Sequence, residues 1–229
     1  MIASVLVASA LASPFGNFQV AQKEFSLCSP CVQIGEQGLN LLLNEILNAG
    51  VIGGCSKLCK ALPSGIGRTG CDVVCAAVGI KTFIGILNKT DLDPIYYCEE
   101  LKACPAGRDD AAASVDGNAV SPATGPSGTT FAIELDFSVL NATGVGEIRI
   151  AVDGAVQVGQ SFLNTGFAPG HYATKVTLTA QDDPSADPPV QWLPGTYNYA
   201  FEVCQGECGS KHPHSKVFGK TSGSFQIIA

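Results

Sequence analysis

The spacing of the cysteines restricts this chain more than any other feature. There are ten cysteines; eight lie between Cys28 and Cys104, and the others are Cys204 and Cys208. An even number concentrated in a short segment reads as a disulfide framework made in an oxidising compartment. A zinc site is the competing use of Cys28-x-x-Cys31, but no second C-x-x-C and no histidine falls in that region. Hydrophobic periodicity predicts four helices, over about 29–48, 51–62, 69–88 and 93–104. In the first, Val32, Leu39, Leu42, Leu43, Ile46 and Leu47 recur at helical spacing, and Asn48-Ala49-Gly50 is a stop signal. The fourth opens on Asp93, a good N-cap, with Pro94 at the first helical position. Cys55 and Cys59 share one helix face, as do Cys71 and Cys75, because residues four apart are stacked. If the second and third helices form an antiparallel hairpin, Cys59 meets Cys71 and Cys55 meets Cys75 one turn further out. Antiparallel packing of the first and fourth helices likewise brings Cys28 to Cys104 and Cys31 to Cys98. Eight cysteines allow 105 connectivities; helix geometry favours this nested one without fixing it.

The order Cys28-x-x-Cys31, a central pair between helices two and three, then Cys98 and Cys104 resembles the saposin B-type domain. Its usual six cysteines match Cys28, Cys31, Cys59, Cys71, Cys98 and Cys104, and Cys55 and Cys75 add a rung. The resemblance covers residues 26–104. Joined to a β-rich C-terminal half, it is similar to the countin-type secreted proteins of amoebae and related eukaryotes. That resemblance implies a lipid-handling helical domain and an extracellular factor acting on cell association.

The second half alternates with period two. In Thr130–Leu140, Phe131, Ile133, Leu135, Phe137 and Val139 fall on one side; Ile148, Ile150 and Val152 follow, and Asp153-Gly154 is a hairpin turn. Further strands over 155–162, 172–180, 196–204 and 216–228 predict an antiparallel, immunoglobulin-like β-sandwich over 129–229. Cys204 and Cys208 read as a local bridge pinning the next loop. Residues 105–128, rich in Ala, Gly, Pro and Ser, have linker composition. The expectation is therefore an α+β two-domain chain: a four-helix, disulfide-rich saposin-like domain followed by the sandwich.

Residues 1–13 form a small, apolar segment in which Ala10-Leu11-Ala12 fits a signal cleavage pattern, although no basic residue precedes the apolar run. No stretch reaches the length needed to span a bilayer; the best, Val73–Leu87, is short and contains Lys81. A secreted, extracellular or secretory-lumen product is expected. Asn88-Lys89-Thr90 and Asn141-Ala142-Thr143 are candidate glycosylation sites. A net charge of −7 argues against nucleic acid as a partner, since no basic field neutralises phosphates.

The sequence shows no catalytic motif. His171, His212 and His214 are the histidines, no G-x-S-x-G elbow is present, and every cysteine has a plausible bridge partner, so neither an activated serine nor a free thiol is legible. The chain is expected not to be an enzyme and to need no cofactor. His212-Pro213-His214 could suggest a metal, but an exposed loop is the simpler reading, so no metal is expected. Asp182, Asp183 and Asp187 offer oxygens that calcium favours, but without EF-hand spacing they read as a solvated loop.

Helix three is apolar nearly all round apart from Asp72 and Lys81, and such a helix is buried or touches something apolar. A closed core competes with an opened, lipid-holding face. Leu39, Leu43, Ile46, Val74, Val78, Phe83, Ile84 and Leu87 are the candidate lipid contacts. The helical half carries six basic and seven acidic residues and no histidine, which disfavours a lytic, acid-triggered pore. The leading reading is a secreted, non-catalytic protein whose partners are a lipid or membrane surface, other extracellular proteins or itself. A structural subunit of an extracellular assembly or matrix is the rival, marked by concentration-dependent self-association without lipid. A pore-forming effector, marked by vesicle leakage, is the third.

Overall fold

A computed structural model describes residues 27–49, 54–62, 64, 66–87, 93–186 and 189–229. The helices come first: α1 (Cys28–Ala49), α2 (Cys55–Cys59), α3 (Ile66–Val78), α4 (Ile80–Leu87) and α5 (Pro94–Glu100). Four bridges tie them, Cys28–Cys104, Cys31–Cys98, Cys55–Cys75 and Cys59–Cys71. Asp93 caps α5 by accepting from the Tyr96 backbone N–H at 2.8 Å. The core inside is Val32, Leu42, Leu58, Leu62, Val74, Phe83, Ile95 and Tyr97 with the bridged cysteines.

The single helix expected over 69–88 is two. Gly79, at φ +83°, ends α3 in a left-handed conformation, and the chain turns 108° into α4. The apolar run is continuous through the break, so periodicity does not mark it; the glycine does, by the backbone it allows.

Eight strands follow: β1 (Ala112–Ser121), β2 (Thr124–Pro126), β3 (Thr130–Asn141), β4 (Gly146–Asp153), β5 (Val158–Asn164), β6 (Gly170–Thr179), β7 (Gly195–Gln205) and β8 (Lys216–Ile228). They make one sheet in the order β1-β3-β6 and a second in the order β2-β8-β7-β4-β5. The alternating residues of β3 are buried to the last, and they share one core with Ile148, Ile150 and Val152 of β4 and with Tyr197, Tyr199, Phe201 and Val203 of β7. Each such side chain contributes about 1.5–3 kcal/mol on burial.

Residues 105–128 do not form the expected linker. They supply β1, antiparallel to β3, and β2, parallel to β8. β1 has small residues because it is only half-buried: Ala113, Val115 and Val120 lean on the shared core. The residues just before it are held too. Gln205 Nε2 donates to Arg108 O at 2.9 Å, and Lys216 Nζ donates to Ala111 O at 3.0 Å.

The halves also touch through their cores. Val145, fully buried in the β3–β4 connection, belongs to the helical cluster, and Leu163 of β5 packs against it.

Candidate functional site

Two surfaces gather the chain's chemistry: the seam between helices and sheets, and the helical unit itself. At the seam, Glu36 of α1, Glu147 of β4 and Glu207 of the β7–β8 connection line a cleft of about 330 Å³ with Pro94, Ile95 and Leu163. Glu147 is buried, and its Oε1 accepts from the Cys208 backbone N–H at 2.7 Å. Burial, reinforced by the charges of Asp93 and Glu147, pushes Glu207 up to about 7. Glu36 is raised as well, first by desolvation and then by the Glu147 charge. Arg149 faces the cluster but is already engaged, donating to Glu202 and to Cys208 O. Beside the cleft, Ser210 Oγ donates to Asp93 Oδ2 at 2.6 Å, and His212 stacks on Tyr96 with ring centroids 4.1 Å apart. None of these carboxylates is near another in sequence, so no motif announces the cluster; only the folded seam assembles it.

The helical unit distributes its candidate lipid contacts inward. Val74 and Phe83 are buried; Ile46, Val78 and Ile84 are partly buried against the same core. The side chains of Leu39, Leu43 and Leu87 lie outside the described residues. On the outer side, Leu41 and Val73 are 41% and 49% exposed. In the described segments the apolar excess of α3 and α4 thus mostly fills a closed core.

The loop readings change in detail. His212 and His214 are not idle: one stacks on Tyr96, and the other's Nδ1 lies 2.6 Å from Asp109 Oδ1. Asp182 accepts from the Trp192 backbone N–H, and Asp183 accepts from Ser185, so these carboxylates shape their own turn; Asp187 lies outside the described residues. Glu202 sits close to Cys204 and Cys208, but the two sulfurs are bonded to each other, which removes them as thiolate ligands. Asn141 is exposed at the end of β3, its Nδ2 donating to Asp110 O, and Thr143 is buried. Asn88 lies outside the described residues.

One constellation escapes a reading of spacing. Asp116 on β1, Ser138 on β3 and His171 on β6 are neighbours across three strands. A Ser-His-Asp triad needs the serine on one imidazole nitrogen and the carboxylate on the other. Here both approach Nδ1, at 3.3 Å each, and the serine hydroxyl donates to the aspartate at 2.6 Å. The imidazole is not placed to take the serine proton on one nitrogen while the carboxylate orients it through the other.

Comparison with known proteins matches both halves. Residues 26–102 match the Countin N-terminal domain and residues 113–229 the Countin C-terminal domain. The chain is 34% identical to Countin-2 of Dictyostelium discoideum over 214 residues, covering 91% of this chain and 81% of that protein. It is 35% identical to Countin-1 of the same organism over 203 residues, covering 87% and 77%. Among solved structures, it is similar to an alkylpurine DNA glycosylase of Pseudomonas fluorescens at 11% identity and a TM-score of 0.43. That likeness covers 91% of this chain and 54% of the glycosylase, and at this level it carries no argument.

Proposed function

The chain belongs to the countin family, and from that premise we propose that it is a secreted, non-catalytic factor of cell association that works at a lipid or membrane surface. The observation that carries the reading is the family match through both halves, helical and β. All ten cysteines are bridged, which is in keeping with export to an oxidising space. The four nested bridges support a saposin-like reading of 26–104. The strand order, β1-β3-β6 against β2-β8-β7-β4-β5, supports an immunoglobulin-like reading of the sheet unit, which we extend back from 129 to β1. In this reading Asp116, Ser138 and His171 are neighbours across three strands and not a catalytic triad. Its partners are a lipid surface and extracellular proteins or further copies of itself, not nucleic acid, which a net charge of −7 repels. Exposed Asn141 is the glycan acceptor in this reading.

The test is expression of the full chain in a secreting eukaryotic host. Product in the medium, with co-purifying lipid by mass spectrometry or sedimentation with vesicles, is the expected result. A secreted but lipid-free protein that ignores vesicles and self-associates with concentration would replace the lipid role with that of a structural subunit. Leakage of vesicle contents would replace it with a pore.

A further inference from the structure

We infer that the exposed side of α2, α3 and α4 is the surface that rests on anionic lipid, through the exposed Lys57, Lys60 and Lys81 and the exposed Val73, Ala76 and Ala77. The inference rests on the lipid-surface reading above and gives it a lipid class and a set of residues.

Charge is the first argument, because it is segregated. Residues 54–87 contain four basic side chains and one acidic one, Asp72. The rest of the chain contains nine basic and nineteen acidic residues. A molecule of net charge −7 therefore carries a locally positive helical unit, and its field favours that unit's approach to an anionic surface. The near-balance of the whole helical half conceals this, since among its seven acidic residues Glu36 of α1, Asp93 at the cap of α5 and Glu99 of α5 lie toward the seam with the second half.

Availability is the second argument. Arg68 is committed to structure, donating to Lys60 O and Leu62 O past the end of α2. Lys57, Lys60 and Lys81 are exposed, and among the described residues none of them forms an ion pair. Their methylene stems can lie along apolar surface while the ammonium groups reach phosphate.

Exposed apolar surface beside the lysines favours lipid over an acidic protein. α3 shows water Val73, 49% exposed, with Ala76 and Ala77 exposed one turn further on. Beyond the turn at Gly79, Ile80, Ile84 and Ile86 pack against the helical core, and α4 exposes Lys81, Thr82 and Gly85. Exposed cations and exposed apolar side chains on one helical unit are what a surface lying at the headgroup boundary uses. No single described helix is long and apolar enough to cross a membrane, so the contact is shallow.

The experiment uses the full chain and two kinds of vesicle, phosphatidylcholine alone and phosphatidylcholine with about a third phosphatidylserine. The intact protein is expected to sediment with the anionic vesicles and to be released by salt. Each lysine is worth about fivefold in affinity, so losing three costs roughly a hundredfold, and the triple variant Lys57→Glu, Lys60→Glu, Lys81→Glu, which also reverses the charges, should bind at least that much more weakly. Val73→Ser should weaken binding without changing the charge, and Lys175→Glu, on exposed β6, should leave it unchanged. All these side chains are exposed, and near-ultraviolet circular dichroism verifies the fold. Undiminished binding by the triple variant, or equal loss in Lys175→Glu, would overturn this surface while leaving lipid binding standing. Equal binding to both vesicles would overturn the lipid class alone. Binding to neither would remove the lipid role itself, and binding to polyglutamate but not vesicles would hand the face to an acidic protein.

Discussion

Glu207 and Glu99 hold their protons longer than free carboxylates do, and the two cases differ in what opposes burial. Glu207 is pushed to about 7 by burial, then by Asp93 and Glu147, with only Arg149 opposing. Glu99 reaches about 7 through burial, although a backbone hydrogen bond from Gly107 and the His214 charge pull it down. A carboxyl whose folded pKa is raised binds its proton more tightly in the native state. Its contribution is fully present below its ordinary 4.5 and is lost as pH rises through about 7. The melting temperature should therefore fall between about pH 5 and pH 8, and Glu207→Gln should flatten part of that slope; a slope unchanged by the substitution would mean Glu207 does not contribute to it. Tyr97 sets a different problem. Its ring packs edge-on to Phe83 in the helical core, while its hydroxyl is buried with no hydrogen-bond partner among the described residues. An orphaned buried hydroxyl costs about 1–3 kcal/mol. Tyr97→Phe keeps the ring and removes the cost, so urea denaturation should show a gain of about 1 kcal/mol, and a loss would reveal a partner for that oxygen.

At the scale of elements, the turn at Gly79 separates backbone conformation from packing. A Cβ built there meets nothing within 4 Å, so an alanine would suffer only from φ +83°. Gly79→Ala should cost about 1 kcal/mol through backbone strain alone, with the four helical bridges intact by mass spectrometry. A neutral result would mean α3 and α4 can run together. How much of each element is legible in the sequence follows from the same physics. β3 is legible because Phe131 to Val139 face a core on one side and lighter neighbours on the other. The bridge pattern is legible because residues four apart share a helix face. β1 is not, since Ala, Ser and Gly in a half-buried strand are also the composition of a linker. The α3–α4 break is not, because hydrophobicity reports burial and not direction. The carboxylate seam is not, because Glu36, Asp93, Glu147 and Glu207 meet only after the halves dock.

Across the whole molecule, that docking is held by more than the short segment joining the halves. Gln205, 1% exposed, is the tie. Its Oε1 accepts from the Gly144 N–H at 2.6 Å, and its Nε2 donates to Arg108 O at 2.9 Å and to His214 O at 2.7 Å. One side chain thus fastens the segment leaving the helices, the β3–β4 connection and the loop before β8. The β3–β4 connection carries Val145 into the helical core, and the loop carries His212 onto Tyr96 and Ser210 onto Asp93. Gln205→Ala would leave these backbone groups without their partner in a buried place, at about 1–3 kcal/mol. The placement makes a stronger prediction than the magnitude. If the seam couples the halves, the substitution should lower one shared unfolding transition, followed by helical far-ultraviolet circular dichroism and by Trp192 fluorescence in the sheet core. Separation of the two signals, with the helical one unmoved, would mean the halves unfold independently and the seam is a contact without consequence for stability.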